Sequence, residues 1–298
     1  MRRNIRLHAI TLCTAAAIMF AAVVAAEEPV VKAFHPDGPM PSFEVATIKP
    51  VGPDKPDSGM TVRQYIAMAY GVPMPRGLPG NQYEGLQVLG GPEWIDKDRY
   101  VIDSRPPDEL REAMRMMSDE DRRAENEMLD QSLLRERFHL KVHFETREMS
   151  VLQLVPAKGG LKITPVDPPP PGAIPPPTKA GGFRPGTMSL QVGNTGLNIL
   201  NGRSVTMEQL SNVIRGQAAE IAGRPVIDDS GFHSRFDLNN FRFSGLAYTQ
   251  GTGGGSATDP DVPSLAQALE EQLGLKLVRT KAQVEVVVID SMDRPTEN

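Results

Sequence analysis

The apolar positions of this chain fall into two kinds of pattern. Leu140, Val142 and Phe144 alternate with His139, Lys141, His143 and Glu145, the period-two signature of a strand with one buried face. Val284–Ile289 is more continuously apolar and predicts a strand covered on both sides. Phe43–Ile48 reads as a leading strand, and strands are also expected around Tyr100-Val-Ile and Phe236-Asp-Leu. Between them the period changes. Thr61 and Thr206 each precede a glutamine by three residues, the spacing of a capping box, and a short helix should follow each. A longer helix should end at Phe138. Another should start at cap Ser264, carry Leu265, Leu269 and Leu273 on one stripe, and stop at Gly274. The acidic stretch Asp108–Asn126 also reads as helical.

Two regions share this order of elements. Leu134–Val142 aligns without gaps on Leu269–Leu277, and Met149–Val155 continues the match on Val284–Asp290. Trp94-Ile95-Asp96 followed by Arg99-Tyr100 parallels Val226-Ile227-Asp228 followed by Arg235-Phe236, and Thr61–Gln64 parallels Thr206–Gln209. Blocks in register predict an internal duplication. Each half would be a β-α-β-α-β-β unit closing in its own hairpin. The expected fold is α+β, with helices packed on one face of mostly antiparallel sheets. The expected units are 42–164 and 183–298, the second with a glycine-rich loop at 251–263. Residues 165–182, with proline runs 168–171 and 175–177, read as a semi-rigid spacer, and 27–41 as a flexible mature N-terminus.

The start of the chain follows a third pattern. Arg2, Arg3 and Arg6 precede an apolar stretch from Leu7 to Ala22, which ends in the small residues Val24-Ala25-Ala26 before Glu27-Glu28. Residues 1–26 are therefore read as a cleavable export signal. The only cysteine, Cys13, lies inside it, so the mature chain is expected to hold no disulfide and no thiolate ligand. Removal takes three arginines and no acidic residue, which moves the formal charge from −5 to −8. That balance argues against binding to nucleic acid or to an anionic membrane surface. No later segment reads as a membrane span. The expected location is the periplasm or the extracellular medium.

Candidate chemistry is sparse. His139 and His143 have a spacing that would join two ligands on a helix, but on a strand they lie about 13 Å apart. Asp229-Ser230-Gly231 is similar to the aspartic-protease signature, yet that chemistry needs two carboxylates sharing a proton, and the matched Asp96-Lys97-Asp98 lacks the Ser-Gly. A tight turn with Gly231 at positive φ is the simpler reading. No nucleophile elbow, zinc helix or phosphate loop occurs, and no cofactor motif is found. Trp94, Asp96, Arg99, Asp228, Arg235 and Asp237 hold matched positions in the two halves and are the candidate binding or structural residues. An Arg–Asp pair fixing a turn is the expected role.

Several of these blocks carry a resemblance. Phe43–Pro50, Ala69-Tyr70-Gly71, Gly90-Gly91-Pro92-x-Trp94, Arg99-Tyr100, Leu133-Leu134-x-x-Arg137-Phe138, Glu145–Glu148, Gly223–Val226, Arg235-Phe236-Asp237 and Ile289-Asp290 through Arg294-Pro295 resemble an uncharacterised "soil-associated" family of secreted bacterial proteins. The likeness spans almost the whole mature chain, although the acidic stretch near Ser118–Asn126 is longer than the family pattern. The family offers no catalytic residues to carry over. Some members are similar to the extracytoplasmic tail of antibiotic-sensor metallopeptidases. More weakly, each half resembles the small N-terminal domains of secretins and TonB-dependent receptors. The resemblance implies a non-enzymatic extracytoplasmic binding, interaction or sensor module, whose partner would be an envelope protein or a small ligand. Two alternatives are a secreted hydrolase using paired carboxylates and an envelope structural protein.

Overall fold

A computed structural model describes residues 31–36, 38–52, 58–72, 86–117, 119–168, 185–193, 196–215, 224–245 and 262–295. The expected export signal with Cys13, most of the proline-rich segment and most of the glycine-rich loop lie outside them. Among the described residues the chain is α+β, with six α-helices and three sheets whose pairings are mostly antiparallel. No helix among them is long and apolar enough to cross a membrane.

The first sheet joins β1 (Val45–Pro50), β2 (Met60–Thr61) and β4 (Arg99–Arg105) in the order β1-β4-β2. The second orders β6 (Pro165–Val166), β10 (Arg235–Ser244), β8 (Leu197–Val205) and β7 (Thr187–Val192). The third lies between them in the order β3-β11-β5-β9. It is built on two long strands, β5 (Lys141–Pro156) and β11 (Leu275–Ser291), paired antiparallel along nearly their full length. The short strands β3 (Val88–Gly90) and β9 (Val226–Asp228) run parallel to β11 and β5 on the two outer edges.

This ribbon replaces the two separate hairpins expected from the sequence. A hairpin needs residues that accept positive φ at its bend. Between Val142 and Met149, and again between Leu277 and Val284, there is no Gly, Pro, Asn or Asp. Each segment therefore stays extended, and the two pair with each other. One end of the ribbon enters each of two cores. Leu140, Val287 and Ile289 pack with Ile48, Ile66, Tyr100 and Phe138, while Leu152, Leu154 and Leu275 pack with Leu200, Phe236, Phe241 and Leu269. The middle of the ribbon is exposed and carries surface ion pairs such as Lys281–Glu148 at 2.6 Å.

The helices follow their caps. Thr61 with Gln64 opens α1 (Val62–Ala69), Thr206 with Gln209 opens α5 (Met207–Ile214), and Ser264 with Gln267 opens α6 (Leu265–Ala268); all three are reciprocal capping boxes. A π-helical turn, Leu269–Leu273, continues α6 and ends at Gly274. The acidic stretch forms α3 (Asp108–Met116) and much of α4 (Asp119–Phe138). The block Trp94-Ile95-Asp96 against Val226-Ile227-Asp228 does not hold in three dimensions. Trp94–Lys97 is the short helix α2, whereas Val226–Asp228 is strand β9. Gly91-Pro92 sets off the helical turn before Trp94, while Val226 and Ile227 are β-branched and extend.

Two segments outside the expected units make ordered contacts. Residues 31–36 lie along β11: Glu285 N–H donates to the Val31 carbonyl at 2.9 Å, and Phe34 N–H to the Tyr70 carbonyl at 2.9 Å. The Glu285 carboxylate accepts from Ala33 N–H at 2.9 Å and meets His35 Nε2 at 2.6 Å. At the expected start of the proline spacer, Pro165 and Val166 pair with Phe236 and Arg235, and Leu161 and Ile163 pack on the second core. A proline at a sheet edge lacks only a donor that the edge does not need.

Candidate functional site

Five of the six residues singled out by the sequence are held within their own halves, and Trp94 meets Arg294 from near the end of the chain. In the first half, the Asp96 carboxylate accepts two bonds from Arg63, at 2.6 and 3.0 Å. Arg99 donates to the carbonyls of Ser58 at 3.0 Å and Gly59 at 2.7 Å. Trp94 is half-buried, with the Arg294 guanidinium 5.1 Å from its ring centre; Arg294 also pairs with Asp98 at 2.9 Å. In the second half, Arg235 donates to the Ser204 carbonyl at 2.8 Å and Asp237 accepts from Ser204 N–H at 2.7 Å. These two bonds grip a residue whose φ of 48° is left-handed. Asp228 accepts from the N–H of Ser230 at 3.0 Å and from its hydroxyl at 2.6 Å, and Gly231 has a φ of 69°. Every one of these bonds fixes a turn, a strand end or a helix. The structure does not bring the two sets into one site.

The histidine pair also separates. His139 meets Asp293 at 3.1 Å, and His143 meets Asp290 at 2.7 Å and Glu145 at 3.1 Å. Among the described residues no three His, Cys, Asp or Glu side chains gather as a ligand set.

A different place has the form of a binding site. Helices α1 and α4 pack side by side over the sheet β1-β4-β2. At their junction with β2 and β4 is a cleft of about 230 Å³. Its walls are Met60, Tyr65, Met68, Ile102, Leu133 and Leu134, with Asp130 and Ser104 as polar members. The Tyr65 hydroxyl is committed to backbone: it donates to the Tyr100 carbonyl at 3.2 Å and accepts from Ile102 N–H at 3.3 Å. Burial raises its pKa.

Asp130 was not among the residues the sequence pointed to. Burial pushes its carboxyl up to about 6, and no cation offsets that. One turn away on α4, burial takes Glu127 up to about 7, against a smaller opposing pull from Arg123. The Glu127 carboxyl lies beside the Phe34–Gly71 contact rather than in the cleft wall. A signal for both was present. Glu127, Asp130, Leu134 and Phe138 recur at i, i+3, i+7 and i+11, so two acids occupy a stripe whose other members are buried.

A pH dependence follows from these two groups. Each binds its proton more tightly in the folded chain than in the unfolded one, so folding is favoured at low pH. Their contribution is greatest below about pH 4 and is lost as the pH rises through about 4 to 7. Because both side chains are only half-buried, solvent screening reduces the combined effect to about 1–2 kcal/mol. Melting curves from pH 4.5 to 8.5 should show the double variant Glu127→Gln, Asp130→Asn gaining stability over the parent as pH rises. Parallel curves for the two proteins would refute the assignment.

No curated protein and no solved structure matches this chain. The family described as "Protein of unknown function (DUF3738)" matches residues 63–292. That span contains α1, α4, both long strands and every wall of the cleft except Met60. With more than half of its length matched, the chain belongs to the DUF3738 family of proteins of unknown function.

Proposed function

We propose that this protein is an exported, non-enzymatic binding or sensor-type module that receives a small ligand in the cleft between α1, α4 and β4. The observation that carries the reading is the cleft itself: apolar walls around one half-buried carboxyl, Asp130, that has no hydrogen-bond or ion-pair partner among the described residues. Pockets of this make-up bind through their apolar walls and select through the few polar groups they hold. The amino-terminal arginines, the apolar run and the small residues before Glu27 support export to the periplasm or beyond. The acidic mature chain is unsuited to nucleic acid. An envelope protein remains the alternative partner, and envelope structure an alternative role.

An origin by duplication belongs to the same reading. Twin capping boxes open α1 and α5, Arg99-Tyr100 and Arg235-Phe236 both start strands, and a short parallel strand flanks each long one.

One observation favours the second reading, a carboxylate-dependent hydrolase. Glu127 and Asp130 are neighbouring acids with raised pKa values, as acid–base chemistry at neutral pH requires. Only Asp130 faces the cleft, which is the weakness of that reading. The two separate in one experiment. The mature protein, labelled at its methionine methyls, is titrated with a chemically varied fragment library and followed by NMR. The binding reading expects some fragments to move the Met60 and Met68 signals and to leave the solution chemically unchanged. It fails if no fragment moves them. Breakdown of a fragment, abolished by Asp130→Asn, would establish the hydrolase.

A further inference from the structure

The polar groups of the cleft indicate the class of ligand it takes. Asp130 projects from α4 into a wall that is otherwise methionine, leucine, isoleucine and tyrosine. Across from it on β4 stands Ser104, whose hydroxyl has no hydrogen-bond partner among the described residues. The Tyr65 hydroxyl cannot serve Asp130, because both of its bonds go to backbone. The nearby Arg99 is also engaged, by the carbonyls of Ser58 and Gly59. Glu127, one turn along the same helix, adds negative field, and the opposing Arg123 acts on Glu127. The site is therefore an apolar cleft with an uncompensated carboxylate.

We infer that the cleft binds a small organic ammonium ion with an apolar body, its nitrogen received by Asp130 and Ser104 and its body by Tyr65, Met60 and Met68. This rests on the binding reading above and assigns its ligand class. Two physical points argue against other classes, and a third favours the ammonium. An anion would meet Asp130, with the negative field of Glu127 behind it and no cation to receive it. A neutral apolar molecule would displace water from Asp130 and give nothing back, at the cost of an unsatisfied charged group. An ammonium both pairs with the carboxylate and presents a cation to the face of an aromatic ring. The two methionines, Met68 exposed at the mouth and Met60 half-buried, supply flexible, polarisable walls that adapt to the body of the ligand. At about 230 Å³ the cleft is smaller than the usual site for a drug-sized molecule, so a body of one ring or a short chain is expected.

The test is a charge series on one scaffold. The mature chain is titrated with 2-phenylethylammonium, 2-phenylethanol and 3-phenylpropionate, by calorimetry and by methionine-methyl NMR. The ammonium should move the Met60 and Met68 methyls. It should bind at least about tenfold more tightly than the alcohol, and the carboxylate should not bind. Asp130→Asn should remove at least about tenfold of the ammonium affinity and leave the alcohol within about twofold. Its melting curve at pH 8 serves as the folding control. Lowering the pH from 8 to 5 should weaken ammonium binding about tenfold, as Asp130 takes up its proton. Equal affinity for ammonium and alcohol, or an Asp130→Asn variant that binds the ammonium like the parent, overturns the ligand class. In that case the methyl shifts still support a binding cleft. If no member of the series moves either methyl, the ammonium assignment falls, and the fragment titration alone then decides whether the cleft binds anything. Should the variant fail to fold, the three-compound series on the parent protein decides.

Discussion

Replacing Arg63 with methionine is expected to destabilise the fold by about 3–4 kcal/mol. Arg63 lies in the first turn of α1 with its side chain 10% exposed. It holds the Asp96 carboxylate with two bonds and donates to the carbonyls of Val88 at 2.8 Å and Gly90 at 3.0 Å. The geometry explains why so much depends on it. β3 is an edge strand of the central sheet. The Gln87 carbonyl faces β11, where it accepts from Val287 N–H at 2.7 Å, so those of Val88 and Gly90 face away. Without a donor from outside the sheet the buried Val88 carbonyl would be left unsatisfied, and the part-buried Gly90 carbonyl would lose its partner. Methionine keeps the volume and loses every donor. It also leaves Asp96, 37% exposed, without its partner, which places the cost toward the low end for breaking a buried pair. For a chain of this size the melting temperature should fall by about 10 °C. Arg63→Lys should recover less than half, because one ammonium cannot span a carboxylate and two carbonyls. Urea unfolding of the three proteins checks this, and an Arg63→Met midpoint equal to the parent's would sink the account.

Arg63 also shows where a sequence stops being informative. Its position was visible as part of the block Thr61–Gln64, and the cap at Thr61 with Gln64 forms as read. The same holds for the cap at Thr206, the turn at Gly231 and the helix end at Gly274, because each depends on residues within one turn of each other. What Arg63 does depends on Asp96 and on an edge strand some 25 residues away. The docking of residues 31–36 is more remote still: His35 and Glu285 are 250 positions apart. Nothing local marks the partner of a strand end. The ribbon departs from the expected hairpins for a related reason. Alternation marks one strand and a continuous apolar run the other, but pairing depends on where turns are absent, and the missing Gly, Asn, Asp and Pro are the available sign.

The candidate site was the least legible part. The matched positions point to Asp96, Arg99, Asp228, Arg235 and Asp237; Asp96 holds the Arg63 guanidinium, and the others hold backbone carbonyls, backbone N–H groups and turn contacts. The cleft holds Asp130 on α4, a residue outside every one of the matched blocks.

Gly274→Ala tests the junction on which the second core closes, and it should cost at least about 3 kcal/mol. Gly274 follows the π-helical turn with φ 68° and ψ 30°, a left-handed conformation that costs alanine about 1–2 kcal/mol. Sterics add the larger part. A Cβ here would sit 2.0 Å from the Gly160 carbonyl oxygen and 2.9 Å from Lys162 N, both backbone atoms that no rotamer change can move. Those atoms cannot withdraw, because the loop is tied to the helix end on both sides. Ala157 N–H donates to the Gly274 carbonyl at 2.8 Å, Lys162 N–H to the Leu273 carbonyl at 2.9 Å, and Lys162 Nζ to the carbonyls of Glu270 and Glu271. Relief therefore requires breaking the contact that brings Leu161 and Ile163 onto the second core. Gly160→Ala is the control. Its φ is 76°, but a Cβ there meets nothing within 4 Å, so only the conformational cost of about 1–2 kcal/mol should appear. Equilibrium unfolding should thus separate the two alanines by at least about 1–2 kcal/mol. If they cost the same, the loop yields, and the close packing of 157–162 against the helix end is not what holds the second half to the ribbon.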